Sequence, residues 1–378
     1  MTPGSCRLCD AKLPEHALLE LLGMPISAQN LPAIDDLHKD HGVDLQIFEC
    51  SQCGLVQTCQ APVAYYKEVI RASAFSAEMA AFRKQQLKGW VEKYHLLNQS
   101  ILEIGAGKGE YLQLLQQAGL KVYGTEFGED SFQACHQLGL EIYRAFPDGS
   151  GLILKSAPFD AFASFNFMEH WPYPKNTLRD VAQVLKPRAL GLIEVPNFDM
   201  ILKNNLFTEF INDHIFYFTA NTLRLMLEIS GFEVLEIKSI WHDYILSATV
   251  QKRSTSNISA FAEKRQHIQE ALHQFADQHQ ECGVAVWGAG HQALATMALL
   301  NLGGKIKYVI DSAPFKQGKF TPVTHLPILP PSALAQQPVS AVIVMAAGYS
   351  DEVCKIIQAS SRPNLKIAIL RENQLEII

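Results

Sequence analysis

The stretch from residue 100 constrains the fold most. Ile101-Leu102-Glu103-Ile104 runs into Gly105-Ala106-Gly107-Lys108-Gly109 and continues with helical spacing. An apolar strand that ends in a glycine turn and reopens as a helix belongs to a parallel α/β layer, since the helix must cross back before the next strand can pair. The alternation persists. Strands are expected at 100–104, 121–126, 161–165 and 189–195, with helices at 109–118, 131–138 and 176–185. A helical region at 76–94 precedes them. Helix 221–230, stopped by Gly231, the run 233–240 and the strand-like 244–250 follow. After a polar linker at 251–259 and a charged helical stretch at 260–279, the signature recurs: Val284 to Trp287, then Gly288-Ala289-Gly290, then helix 291–302 and strands 307–311 and 341–345. The expected class is α/β. A doubly wound, Rossmann-like sheet at 63–255 is preceded by a small module at 1–62 and followed by a second Rossmann-like domain at 256–378, a reasonable division of 378 residues.

The first module has no long helical pattern, only short strand-like pieces such as 45–48, and about 60 residues make a marginal core without help. Cys6-x-x-Cys9 and Cys50-x-x-Cys53 suggest the help, because two such pairs can place four thiolates around one tetrahedral ion at about 2.3 Å. Gly54 suits the tight turn of such a loop. Four unrelated buried thiols or a redox pair are the competing readings. A four-sulfur zinc site is closed, so its expected role is structural. Cys59, Cys135, Cys282 and Cys354 have no such spacing and are expected in the core.

Charge and hydropathy remove other classes. The formal net charge is -6, from 32 Lys and Arg against 38 Asp and Glu, and the basic residues do not cluster. Neither nucleic acid nor an anionic membrane is an expected partner. No apolar run approaches the ~20 residues of a membrane helix. The polar first ten residues lack a signal-peptide core, and paired cysteines favour a reducing compartment, so a cytoplasmic location and a small-molecule substrate are expected.

The first glycine turn brings backbone N–H groups and a helix N-terminus close to a ligand. Glu126 ends the next strand about 20 residues on, placed for two ribose hydroxyls, and Phe127 beside it offers a ring for an adenine. The third strand ends in Phe165-Asn166-Phe167-Met168-Glu169-His170, at the edge where open α/β sheets bind ligands. A dinucleotide dehydrogenase turn or a plain strand–helix bend would share part of this pattern. The whole order resembles the class I S-adenosylmethionine-dependent methyltransferases. That resemblance implies S-adenosyl-L-methionine as cofactor and contacts to it from Glu103, Gly105, Ala106, Gly107, Glu126, Phe127, Asn166 and Met168.

Other segments narrow the resemblance. These are Pro25-Ile26-Ser27-Ala28-Gln29-Asn30, Cys50-Ser51-Gln52-Cys53-Gly54-Leu55-Val56-Gln57, Glu194-Val195-Pro196-Asn197, and the stretches 311–318 and 321–328. With the three-module order they are similar to the nucleotide-sugar C-methyltransferases, which methylate a carbon beside the keto group of a deoxysugar carried on a nucleoside diphosphate. The resemblance implies an enolate: a base removes the acidified proton and the carbon attacks the sulfonium methyl. His suits that base. In the family a Tyr-x-Glu-His segment supplies base and donors. Here the matching stretch is Ile211-Asn212-Asp213-His214, so His214 is the candidate base, Asp213 stands for the Glu that orients it, and Ile211 replaces the tyrosine. His170 matches a second family histidine. Tyr66, just before the loosely matching 71–76, and Asn197 are candidates for the sugar pocket, whereas Tyr217 and Phe218 read as packing residues. The departure at Ile211 leaves O- or N-methylation of a related metabolite open, as well as a cofactor-binding protein without turnover.

The second glycine turn, Gly288-Ala289-Gly290-His291-Gln292-Ala293 with Asp311 closing the next strand, is a dinucleotide fingerprint by itself and would suit a nicotinamide-dependent oxidoreductase. Within the resemblance it becomes a substrate-binding domain, with Gly288, Gly290 and His291 near the diphosphate. A vestigial nucleotide fold is the third reading.

Overall fold

The computed structural model describes residues 4–27, 31–68, 76–359, 364–372 and 374–378. The chain divides into two compact units, residues 1–254 and 255–378.

The first unit opens with β1 (Leu19–Pro25), β2 (Gly42–Glu49) and β3 (Val56–Thr58). Helix α1 (Ala77–Lys93) follows, its first turn capped by the Ser76 hydroxyl, which accepts the Met79 N–H. Then come β4 (Ser100–Ile104), α2 (Glu110–Gln117), β5 (Lys121–Glu126), α3 (Glu129–Gln137), β6 (Glu141–Arg144), β7 (Phe159–Phe165), α4 (Pro174–Gln183) and β8 (Leu185–Pro196). Helix α5 (Phe198–Asn204), β9 (Phe216–Tyr217), α6 (Ala220–Ile229), β10 (Phe232–Ile240) and β11 (Ile245–Lys252) complete it. The central sheet has the order β10-β11-β8-β7-β4-β5-β6. β4 through β8 run parallel, and β11 lies antiparallel between β8 and β10. This is the doubly wound sheet that the alternation predicts. Its middle strands are apolar on both faces because helices cover both: β7 reads Phe159 to Phe165 with only Asp160 half-buried.

The order also fixes where a ligand goes. The chain leaves β4 to one side for β5 and returns to the other side for β7, so a crevice opens at the carboxyl ends of these three strands.

The cysteine-bearing segment is welded to this sheet. β3 pairs antiparallel with β9, setting Val56 opposite Tyr217 and Gln57 opposite Phe216. Leu8, Phe48 and Leu55 share one continuous core with Phe216 of β9 and with Ile104, Phe162 and Ile193 of the central sheet. A short N-terminal segment that cannot enclose a core thus borrows one. Tyr217 and Phe218 are buried packing residues, as expected. Cys135 and Cys354 are buried, but Cys59 and Cys282 are exposed, contrary to expectation: each sits in a loop outside the strands that build the cores.

The second unit holds α7 (Ser259–Gln278), β12 (Val284–Trp287), α8 (His291–Leu299), β13 (Ile306–Ile310), β14 (Ile328–Leu329), α9 (Ala333–Gln336), β15 (Ala341–Val344), α10 (Ser350–Ala359), β16 (Lys366–Leu370) and β17 (Leu375–Ile377). Its order is β14-β13-β12-β15-β16-β17, parallel except for the β16–β17 pair, which is the expected Rossmann-like layer.

Candidate active site

The four paired cysteines converge. Every Sγ lies within 4.8 Å of the others, with Cys6 to Cys53 at 3.5 Å and Cys9 to Cys50 at 3.6 Å. Sulfurs about 2.3 Å from one tetrahedral zinc would stand about 3.8 Å apart. The two turns are built alike. The Cys6 N–H donates to the Ala11 carbonyl and the Cys50 N–H to Leu55, while Asp10 and Gly54 donate back to Cys6 and Cys50. Asp10 and Gly54 both take left-handed φ, 62° and 74°. Burial pushes the Cys9 and Cys53 thiols up; a dication among them would reverse that and favour thiolates. The donor set fits one closed, structural ion.

At the carboxyl end of β4, Gly105 and Ala106 donate to the Thr125 carbonyl at 3.1 and 2.9 Å, which ties the glycine turn to β5. Glu126, 1% exposed, accepts the Gly107 N–H through one oxygen (2.8 Å) and those of Phe127 and Gly128 through the other (3.0 Å each). The carboxylate is therefore fixed between the two loops before any ligand arrives, the preorganisation a diol site needs. Gly109, the N-cap of α2, has φ 88°, and a Cβ there would lie 2.5 Å from Leu140 Cδ1. Glycine is required for the helix to start this close to the sheet.

Phe127 is 40% exposed, and the Lys67 ammonium lies 5.2 Å from its ring centre. Asn166 follows β7 at φ 46°; its N–H donates to the Glu194 carbonyl, and its buried Oδ1 has no hydrogen-bond partner among the described residues. An orphaned acceptor at the crevice is consistent with a ligand donor there. Met168 is fully buried in the core, so only its main chain can face a cofactor. Glu103 is fully buried within β4, opposite Gly124 and Ala163.

Beyond β7 a short turn (Met168–His170) meets the segment before β9. The Ile215 N–H donates to the Glu169 carbonyl (2.9 Å), and the Thr58 N–H of β3 donates to the Ile215 carbonyl (3.0 Å). This ladder brings the His170 and His214 rings to 4.8 Å in an edge-on contact. Burial lowers both imidazoles, His214 the more, with His170 adding to it, so both are neutral and able to accept a proton at neutral pH. Asp213 is arranged differently from its expected role. Its main-chain carbonyl meets His170 Nδ1 (2.8 Å), and its buried carboxylate accepts the Tyr65 hydroxyl (2.8 Å). Tyr65 is held in turn by Ser27, at 2.6 Å.

Tyr66 stands edge-on to Phe146, which stands edge-on to Phe167, beside His170. The expected sugar-pocket tyrosine thus belongs to an aromatic wall leading to the histidines. Residues 28–30 of the N-terminal motif and 71–75 after Tyr66 lie outside the described residues. The Asn197 Oδ1 caps α5 by accepting the Asp199 N–H, and its Nδ2 donates to the Asp243 carbonyl and to Ser239, so its amide has structural partners in the fold. Glu194 of the same motif is spent on a fully buried pair with Arg83, joined by Gln86 and Ser247.

Tyr65 and Glu169 escaped the sequence reading. An acid between Met168 and His170 at a strand end was a usable signal for Glu169. Nothing local distinguishes Tyr65 from Tyr66.

In the second unit a cleft of about 480 Å³ opens at the carboxyl ends of β12, β13 and β15, and Gly288, Gly290, His291, Asp311 and Lys316 line it. Asp311 accepts the Ala289 N–H (2.8 Å) and pairs with Lys316 (2.9 Å). Lys316 and the N-terminus of α8 supply positive potential there.

Comparison with known proteins agrees with this geometry. Residues 76–237 match the methyltransferase domain family, and residues 248–369 match the C-methyltransferase C-terminal domain family. The chain is similar to the C-methyltransferase NovU of Streptomyces niveus, with 25% identity over 291 residues and 67% of each chain covered. It is also similar to the ubiquinone biosynthesis O-methyltransferase of Bordetella avium (strain 197N), with 28% identity over 105 residues, 26% of this chain and 44% of that one. Among solved structures, an S-adenosylmethionine-dependent methyltransferase from Aquifex aeolicus superposes over 47% of this chain and 100% of its own, with 16% identity and a TM-score of 0.37. A methyltransferase domain followed by the C-terminal domain of the C-methyltransferases marks the chain as an S-adenosylmethionine-dependent methyltransferase related to the C-methyltransferase NovU.

Proposed function

We propose that the enzyme methylates a carbon beside the keto group of a deoxysugar carried on a nucleoside diphosphate, through an enolate formed by His214. The observation that carries this reading is the edge-on pair of half-buried imidazoles, both held neutral by desolvation, just beyond the crevice that Gly105 to Gly107 and Glu126 frame. S-adenosylmethionine, when bound, supplies an electrophilic methyl group. The chain's own residues do the rest. Glu126 holds a diol, Phe127 offers a ring face, and the main chain at Gly105 to Gly107 and Asn166 allows close approach. His214 takes the proton from the acidified carbon, and His170, oriented by the Asp213 carbonyl, stands beside it as second acceptor or donor. The aromatic wall of Tyr66, Phe146 and Phe167 keeps water from the carbanion. The cysteine cluster holds zinc, and in the C-terminal domain, taken as 256–378, Gly288, Gly290 and His291 hold the diphosphate.

Transfer to a hydroxyl is the second reading, and Ile211 favours it, because an enolate has lost one phenol donor there. The product separates the two: proton-coupled carbon spectra of the methylated sugar show the new methyl on carbon or on oxygen. Solvent deuterium entering the sugar beside the keto group without cofactor supports the first reading. Full turnover in His214→Ala would remove His214 as the base.

A further inference from the structure

When a C–H bond beside a ketone breaks, its electron pair moves onto the carbonyl oxygen, and that charge needs a donor inside a water-poor site. Ile211 supplies none. Glu169 lies beside the two histidines. The residue is 1% exposed, its buried Oε2 has no hydrogen-bond partner among the described residues, and its Oε1 is 4.0 Å from His170 Nε2. Ligating atoms of Glu169, His170 and His214 all lie within 4.8 Å of one another. The turn that carries Glu169 is pinned to the segment that carries His214 by the Ile215 N–H.

The ionisable groups around it are His170 and His214 and, beyond His170, Asp213 with Tyr65. Both imidazoles are neutral at neutral pH, so neither offsets a carboxylate, and 4.0 Å is too long for a hydrogen bond. An ionised Glu169 would be a buried charge offset only in part, by its own backbone N–H, and would repel an enolate.

We propose that Glu169, as the neutral acid, donates the hydrogen bond that holds the developing enolate oxygen, in place of the phenol missing at Ile211. The inference rests on the enolate reading above. In the step concerned, the carbon–hydrogen bond of the ketosugar breaks and its proton passes to His214. The electron pair spreads from carbon to the carbonyl oxygen, and the Glu169 O–H donates to that oxygen while keeping its own proton. Burial, partly offset by its own backbone N–H, pushes Glu169 up to about 8, consistent with this state.

The test uses the full-length protein, a panel of nucleoside-diphosphate ketosugars and solvent deuterium exchange without cofactor. Wild-type exchange should fall as pH rises through about 8. Glu169→Gln, which keeps an N–H donor, should retain most of the exchange and lose that alkaline fall. Glu169→Leu should lose about 10²-fold or more, with S-adenosylhomocysteine binding unchanged. An infrared difference spectrum across the same pH range should show the band of a protonated carboxylic acid that Glu169→Gln lacks. Exchange in Glu169→Leu as fast as in wild type, or a Glu169 carboxylate already ionised at neutral pH, would overturn this proposal alone. A wild-type enzyme that binds S-adenosylhomocysteine yet exchanges no ketosugar proton would overturn the enolate reading, and the proposal with it.

Discussion

At the scale of single residues, Glu169 links function to stability. An unfolded glutamate ionises near 4.5, whereas burial raises this one to about 8, so between those values the folded chain keeps a proton that the unfolded chain releases. Its contribution is full below about 4.5 and is lost as pH rises to about 8. Glu169→Gln should therefore stabilise the first unit at neutral pH, by up to about 3 kcal/mol, and flatten the pH dependence in that window. His170 and His214 act in the opposite direction. Burial lowers both, so their contribution is present above the ordinary histidine value of 6.5 and is lost as pH falls through the lowered ones. Melting curves at several pH values measure both slopes, and a Gln variant no more stable than wild type would mean that Glu169 is ionised in the fold. The histidines were legible from their matching positions, but the job of Asp213 was not. Sequence spacing sets it beside His214, whereas the turn hands its carbonyl to His170 and its carboxylate to Tyr65, a residue 148 positions away.

At the scale of elements, the legible parts are those that local physics dictates. Strand, glycine turn, helix and terminal acid occur twice, and each time the acid returns to the turn: Glu126 to the Gly107 N–H and Asp311 to the Ala289 N–H. Gly288 shows why such turns are strict. Its φ is 122°, and a Cβ would lie 2.4 Å from the Met345 carbonyl oxygen, a main-chain atom with nowhere to move. Gly288→Ala should cost about 1–3 kcal/mol, read as earlier melting of residues 255–378, with S-adenosylhomocysteine binding by the first unit preserved. Unchanged melting would mean that the turn relaxes freely. The two-residue β9 was illegible for the opposite reason. It is a strand only because β3 pairs with it, and aromatic residues alone predict packing without specifying a partner.

At the scale of the molecule, the cysteine cluster does more than stabilise its own loops. Arg7, one residue past Cys6, donates to the Pro172 carbonyl, Lys175 pairs with Asp10, and β3 carries the ladder to Ile215. The segments bearing His170 and His214 are thus held from both ends by the cysteine-bearing loops. Metal analysis should find about one zinc per chain, and a strong chelator should melt the N-terminal sheet and abolish turnover with every active-site residue intact. A metal-free protein that stays folded and active would remove zinc from the structure. The sequence sets residues 1–62 apart as a small module, and in the structure that segment packs into the core of the larger layer within residues 1–254, because a segment of that size buries enough apolar surface only there. Every step of the proposed reaction depends on the crevice between Gly107 and Glu126 as the proposed cofactor site. Calorimetric titration of S-adenosylhomocysteine into wild-type protein and Glu126→Ala measures it directly. One site per chain, with affinity about tenfold or more weaker in the variant, is the expected result, whereas no binding to wild type, or equal binding to both, would contradict it.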